Sequence, residues 1–406
     1  MLGRHLRFLI LAGTVAAALG FVGHARADSS PIKIGDINVY SAIPQGTEPY
    51  KKGWEMALAE VNAEGGVLGR KVEVLSRDDA AKPDVATRMA QELVTNEKVA
   101  MLMGGFLSNE GLAIADFANR NKVFYLASEP LSDALVWEKG NPYTFRLRPS
   151  TYMQTKMLVD AVAKLPAKRW ATVAPNYEYG QSAVSDFLAA LKEKRPDAQV
   201  VEQQWPALGK LDAGAVVQAL AAAKPDAIFN VTFGADLARF VREGELRGLF
   251  KGREVVSLLT GEPEYLDPLK GEAPVGWIVT GYPWYSIKAP AHEKFVAEYR
   301  KRYNETPRMS SLVGYITLKA AVAIIKKAGS TDTAKLIAAA KGLTFGSPIG
   351  AITFRAIDHQ STMGAWIGKI ALKDGSGIMV DWHFDNGKNF QPTDAFVRSK
   401  RPASAD

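Results

Sequence analysis

Apolar and polar positions along the chain alternate between two registers. Short apolar runs, read as buried strands, are separated by longer stretches in which apolar residues return every three or four positions, as on a helix with one buried face. Residues 32–39 (IKIGDINV) predict a first strand, and 50–62 a helix with Trp54, Ala57, Leu58 and Val61 on one side. The Pro-, Gly- and Ser-containing stretch 40–49 between them reads as a loop. A second strand follows at 71–76, then a helix at 83–96 with Pro83 at its opening position, where a missing N–H costs least. Residues 99–103 (VAMLM) read as a fully buried strand that Gly104 and Gly105 break, and Leu112, Ile114, Phe117 and Ala118 begin the next helical face. With a short strand at 123–126 the order is βαβαβαβ, which demands a parallel sheet with helices on both faces.

The pattern then starts again. After FRLRP at 145–149, helices at 151–165, 181–194, 213–223 and 235–246 alternate with strands at 170–174, 199–204, 227–231, 255–259 and 277–280. The chain ends with helices at 291–303, 311–328 and 333–341 and strands at 351–354, 364–369 and 379–384. Two doubly wound α/β units predict two similar lobes, as the length of 406 residues also favours.

Composition changes this picture mainly at the start. Arg4 and Arg7 precede a mostly apolar run at 8–22, and Ala25-Arg26-Ala27 fits a small-x-small cleavage site, so residues 1–27 read as a secretory signal peptide. The apolar run is shorter than the ~20 residues of a spanning helix. Removing Arg4, Arg7 and Arg26, with no acidic residue in that segment, takes the net charge from +7 to +4. Basic residues are otherwise scattered, which argues against a nucleic-acid footprint. There is no cysteine, hence no disulfide, no thiolate nucleophile and no lipid-accepting residue at the cleavage site. An exported chain without a tether suits the periplasm.

Candidate chemistry is sparse. His292, His359 and His383 lack the spacing of a zinc site, His359 reads as structural, and no phosphate-cradling Gly loop or Gly-x-Ser-x-Gly elbow is present. Nothing points to an enzyme or a cofactor. Ser108 is the exception, standing where a helix cap should be at the carboxyl end of a predicted strand. It either caps its own helix or joins the unpaired N–H groups of the first turn in holding an anion.

Several segments together carry a resemblance: IKIGD at 32–36, EVNAEGGVLGRKVEVLSRDDAAKP at 60–83, GGFLSNEG at 104–111, NYEYGQSA at 176–183 and GYITLKAAVAII at 314–325. In this order and spacing the chain resembles the leucine/isoleucine/valine-binding family of periplasmic substrate-binding proteins, from residue 32 to about 390. That resemblance implies a type I periplasmic binding fold, two doubly wound parallel-sheet lobes joined by a three-crossing hinge. It places the crossings near 147–149, 280–282 and 345–350. The first lobe would take 31–148 and 281–346, the second 149–280 and 347–390, leaving a tail at 391–406. The implied function is capture of a small solute in the inter-lobe cleft and delivery to an ABC transporter permease, by a monomer without a cofactor. A sensor module feeding a membrane kinase or chemoreceptor is the alternative.

Carried over position by position, the resemblance assigns Ser108 to a ligand carboxylate, Ala127 and Ser128 to the polar floor, Tyr179 and Phe233 to rings over the ligand, and Glu262 to a ligand ammonium. Tyr179 read with Tyr177 as loop packing, Phe233 as lobe core and Glu262 as the cap of a short helix at Pro263 are the competing readings. Two departures matter. Glu129-Pro130 stands where amino-acid binders carry a threonine two residues past Ser128, and Ala81 and Leu107 occupy the positions of a disulfide. Proline offers neither N–H nor hydroxyl. Glu129 is a further candidate at the ligand, and the loop aromatics Tyr40, Tyr50, Phe106, Trp284 and Tyr285 keep open a pocket for a flat aromatic acid, although the last two also suit hinge packing. On either reading the expectation is that main-chain amides, not a metal or a countercharged side chain, neutralise the acid.

Overall fold

The computed structural model describes residues 30–405, so the expected signal peptide at 1–27 lies outside the described residues. The chain begins β1 (Ile32–Asn38), α1 (Pro44–Ala63), β2 (Val72–Asp78), α2 (Pro83–Thr95), β3 (Met101–Gly104), α3 (Ser108–Asn121), β4 (Tyr125–Ala127) and β5 (Thr144–Arg146). These five strands form one parallel sheet in the order β2-β1-β3-β4-β5. Next come α4 (Thr151–Val162), β6 (Arg169–Val173), α5 (Glu178–Lys194), β7 (Gln199–Gln204), α6 (Ala213–Ala222), β8 (Ala227–Asn230), α7 (Gly234–Leu246), β9 (Glu254–Gly261), α8 (Pro263–Leu266) and β10 (Ile278–Gly281). Helices α9 (Pro290–Tyr303), α10 (Met309–Ala328) and α11 (Thr333–Ala340) precede a hairpin of β11 (Thr344–Ser347) and β12 (Gly350–Thr353). Finally β13 (Ala365–Lys373), β14 (Ser376–Asp385) and α12 (Asp394–Lys400) close the chain.

The second sheet runs β14-β13-β10-β9-β8-β6-β7. Its five strands from β7 to β10 are parallel, and β13 and β14 add antiparallel at one edge. Each sheet thus heads one α/β lobe, as the alternating pattern predicts. Residues 345–350, where the third crossing is expected, form the β11–β12 hairpin against α10, and the chain enters the larger sheet at β13. Just before that, His359 and Ser361 exchange backbone bonds with Arg146 at the end of β5. Helix α12 turns back to place Phe396 against Trp137 and Tyr152, and Arg401 donates to the carbonyl of Asn141 at 3.1 Å.

One local feature differs from the sequence expectation. Helix α1 begins at Pro44, within the stretch read as a loop, because Pro44 sits at its opening and Gly46 leaves room for a neighbouring ring. A Cβ on Gly46 would lie 2.8 Å from the Phe106 ring. The pairing of α1 with α10 likewise depends on glycine. A Cβ on Gly314 would stand 2.0 Å from the Tyr50 carbonyl oxygen, and one on Gly53 equally close to that of Ser311. Helix α10 is long and apolar enough to cross a membrane, yet most of it is buried in this crossing as a core helix.

Candidate functional site

The carboxyl ends of the parallel strands in both lobes converge on one small cavity. From the first lobe come the turn after β3, the loop after β4 and the crossing after β5. Gly104 and Gly105 have φ of 107° and 79°, a left-handed turn that brings Phe106, Leu107 and Ser108 to the cavity. The β4 loop contributes Glu129 and Leu131, and the crossing contributes Arg148.

The second lobe supplies a wall of rings. Tyr177 and Tyr179 lie at the start of α5, Phe233 immediately precedes α7, and Tyr265 belongs to α8. Their ring centroids are spaced 6.1, 6.0 and 6.0 Å from one to the next. Leu259 reaches the cavity from within β9 in a left-handed conformation, φ 65°, beside a register shift between β9 and β10. Strain of this kind, about 1–3 kcal/mol, persists only where the surroundings enforce it.

Charge in the cavity is concentrated on one buried trio. Arg148, 4% exposed, donates from Nη1 to Glu129 Oε2 at 2.8 Å and from Nη2 to Glu262 Oε1. Burial pushes the carboxyl of Glu262 up to about 8 against the pull of Arg148, with Glu264 and Glu129 adding to the rise. Burial raises Glu129 as well. Burial opposes the charge on Arg148, but its two carboxylate partners outweigh it and hold the guanidinium protonated. Three polar atoms here have no hydrogen-bond partner among the described residues: Glu129 Oε1, Arg148 Nε and the Tyr179 hydroxyl.

The predicted site residues divide accordingly. Ser108, Phe106, Tyr179, Phe233 and Glu129 line the cavity. Ser108 is not the cap: Leu107 holds that position in extended backbone, and Ser108 opens the helix, its Oγ accepting the Ser132 N–H at 3.2 Å. Ser128 lies behind the wall, its hydroxyl bonded to Tyr50 at 3.0 Å and Thr317 at 3.1 Å. Ala127 ends β4 and is wholly buried away from the cavity lining. Tyr40 donates to Asp36 at 2.6 Å instead of facing the cavity. Glu262 does occupy the cap position of α8, yet its side chain turns to Arg148. Trp284 and Tyr285 pack at the second crossing, where Tyr285 donates to the Met379 carbonyl at 3.2 Å. His359 stacks on Phe145 at 3.9 Å and is structural. Among the described residues no group of three His, Cys, Asp or Glu is arranged to hold a metal ion.

One expectation is corrected outright. A countercharged side chain, Arg148, does stand in the cavity, because the crossing after β5 carries it between the lobes. Sequence reasoning missed it together with Tyr265, Leu131 and Leu259. Its neighbour Arg146 is also buried but braces the crossing, donating to the Leu131 carbonyl at 3.1 Å and to Gln360 Oε1 at 2.5 Å.

The lobes are closed on one another. Ser132 Oγ donates to Glu178 Oε1 at 2.6 Å, and the Asp133 N–H donates to Ser182 Oγ at 3.3 Å. On another side of the cleft, Glu264 of α8 accepts the first two N–H groups of α10, from Met309 at 3.0 Å and Ser310 at 2.7 Å.

Comparison with known proteins fits this geometry. A sequence profile described as periplasmic binding protein matches residues 31–376. The chain belongs to the periplasmic binding protein family. Among curated members, the Leu/Ile/Val-binding protein homolog 7 of Brucella suis biovar 1 (strain 1330) is 27% identical over 343 residues, covering 80% of this chain and 84% of that protein. A solute binding protein of an ABC transporter from Rhodopseudomonas palustris BisB5, solved in complex with 3,4-dihydroxybenzoic acid, superimposes with a TM-score of 0.78 at 25% identity. That match covers 89% of this periplasmic binding protein and 98% of the other. An ABC-type branched-chain amino acid transporter structure from Rhodopseudomonas palustris CGA009 matches with a TM-score of 0.72 at 26% identity, over 88% and 97% of the two chains. The type I fold expected from the sequence is thus the fold of the chain's structural relatives.

Proposed function

We propose that this chain is the extracytoplasmic solute receptor of an ABC importer, holding a small carboxylate-bearing ligand between its lobes and presenting the closed form to a permease. One observation carries the reading. The cavity is built half from each lobe, with rings from one side and Ser108 at the N-terminus of α3 from the other. Unpaired N–H groups and the positive end of the helix dipole favour an anion there. The rings supply the apolar enclosure of a small organic acid.

Binding and closure are the same event in this arrangement. Ligand contacts drawn from both lobes exist together only when the lobes meet, so ligand stabilises the closed form by its differential affinity. The sheet memberships support a division in which β1–β5 with α9–α11 form one lobe and α4–β10 with β13 and β14 the other. The relatives include proteins named for branched-chain amino acids and one solved with an aromatic acid. The test is a thermal-shift screen of the mature protein against both classes, because a ligand that binds only the folded form raises its melting temperature. A raised melting temperature with a small acid supports the reading, and no response to any member of either class refutes it. Export is tested by the N-terminus of the protein in a periplasmic extract, expected at Asp28.

A further inference from the structure

The cleft contains its own cation. Glu129 is the acidic residue lining the cavity, Glu262 stands beside it, and each gives an oxygen to the buried guanidinium of Arg148. A ligand ammonium needs a buried carboxylate as partner, and here both candidates are already held by Arg148, with Glu129 Oε1 left as the one unpartnered acceptor of a neutralised carboxylate. We propose that Arg148 fills the place of a ligand ammonium, so that the cleft selects aromatic carboxylates lacking an α-amino group over the matching amino acids. This deepens the reading of the cleft as an acid-binding site and rests on it.

Three physical arguments support the assignment. An incoming ammonium finds the Glu129 carboxylate already neutralised by Arg148, so it gains no net countercharge to offset the cost of burying it. Displacing the guanidinium instead would leave it buried without its partners, which is costlier still. A carboxylate meets the opposite situation. Arg148 Nε is a buried donor without a partner, and the Tyr179 hydroxyl is a second unpartnered polar group at the same cavity. With Glu262 pushed up to about 8 by burial, the trio carries little net charge near neutrality and does not repel an acid. The third argument is shape. Phe106, Tyr177, Tyr179, Phe233 and Tyr265 line the cavity with rings inclined to one another, against whose faces and edges an aromatic ligand packs.

The experiment is calorimetric titration of the mature full chain with matched probes. L-Phenylalanine and 3-phenylpropanoate differ only in the ammonium; benzoate, 4-hydroxybenzoate, 3,4-dihydroxybenzoate and L-leucine complete the panel. The expected result is that an ammonium-free aromatic acid binds tightest, with 3-phenylpropanoate at least about tenfold tighter than L-phenylalanine. In Glu262→Gln, which retains Arg148 and its bond to Glu129, the preference for 3-phenylpropanoate over L-phenylalanine should persist. Arg148→Met should reverse the preference within the matched pair. If that variant does not fold, the Glu262→Gln titration still decides. Tightest binding by L-leucine or L-phenylalanine, or loss of that preference on Glu262→Gln, overturns the role given to Arg148 and leaves the receptor reading standing. Binding of none of the probes overturns both.

Discussion

Glu264 offers a test of closure that leaves the ligand's own contacts alone. Its carboxylate is 1% exposed, comes from α8 in one lobe, and accepts the N–H groups of Met309 and Ser310 at the start of α10 in the other. Ser311 Oγ takes the preceding N–H, from Arg308, at 3.0 Å, so the helix end is fully satisfied only while the lobes are together. Hydrogen bonds to a charged group are worth about 1.5–3 kcal/mol, and a carboxylate at a partly buried helix N-terminus gains up to ~2 kcal/mol from the dipole. Glu264→Gln keeps one acceptor and turns an amide nitrogen toward an N–H. The net loss to the closed form is about 2 kcal/mol, a factor of ~30 in the closed-to-open equilibrium. Glu264 does not line the cavity but adds to the electrostatics of Glu262 and Glu129, so weakening of ligand affinity by up to that factor reports closure when the ligand-free scattering changes with it. Titration calorimetry measures it, and small-angle scattering of the ligand-free variant should show a larger radius of gyration. Affinity within about twofold of the wild type, with unchanged scattering, would show that this contact does not hold the lobes together.

The other expectations follow from separate parts of the molecule. Ser108→Ala should weaken binding of any acid ligand by about 5- to 30-fold, one lost hydrogen bond at a helix N-terminus, and calorimetry checks it. Glu110→Gln concerns stability against pH. Burial, then Asp79, pushes its carboxyl up to about 8, so the folded protein holds a proton that the unfolded chain releases near 4.5, and stability falls as pH rises across that interval. The variant should melt at the same temperature as wild type below about pH 4 and at a higher one at pH 8, with a ceiling of about 4–5 kcal/mol; parallel melting curves across pH would refute this. Gly314→Ala places a methyl 2.0 Å from the Tyr50 carbonyl and should lower the melting temperature sharply or prevent folding, which thermal denaturation reads.

Much of the fold was legible because each lobe repeats one unit. A run such as VAMLM bounded by glycines has few alternatives to a buried strand, and β3 and the helices on either side fall within two residues of the pattern. Where the pattern failed, a tertiary neighbour decided. Gly46 and Pro49 read as breakers, yet α1 runs through both because the Phe106 ring fills the space a side chain at 46 would need. The site was legible only in outline. Ser108, Phe106, Tyr179 and Phe233 reach the cavity from loop positions that topology alone selects. Ser128 occupies an equally suitable loop but is claimed by Tyr50 and Thr317, 78 and 189 positions away.

The same limit explains Arg148. In FRLRPS the two arginines alternate along extended chain, and nothing local distinguishes the one that braces the backbone from the one that enters the cleft. The distinction is made by Glu129 and Glu262, 19 and 114 positions distant and on opposite sides of the hinge crossing. A charge balance assembled from three segments has no signature in any one of them. It also means that the electrostatics of the cavity belong to the closed conformation: separating the lobes parts Glu129 from Glu262, exposes the guanidinium to water and screens it. Closure therefore restores the strength of the charge that discriminates between an acid and an amino acid, and selectivity should be sharper in the closed form than in the first encounter.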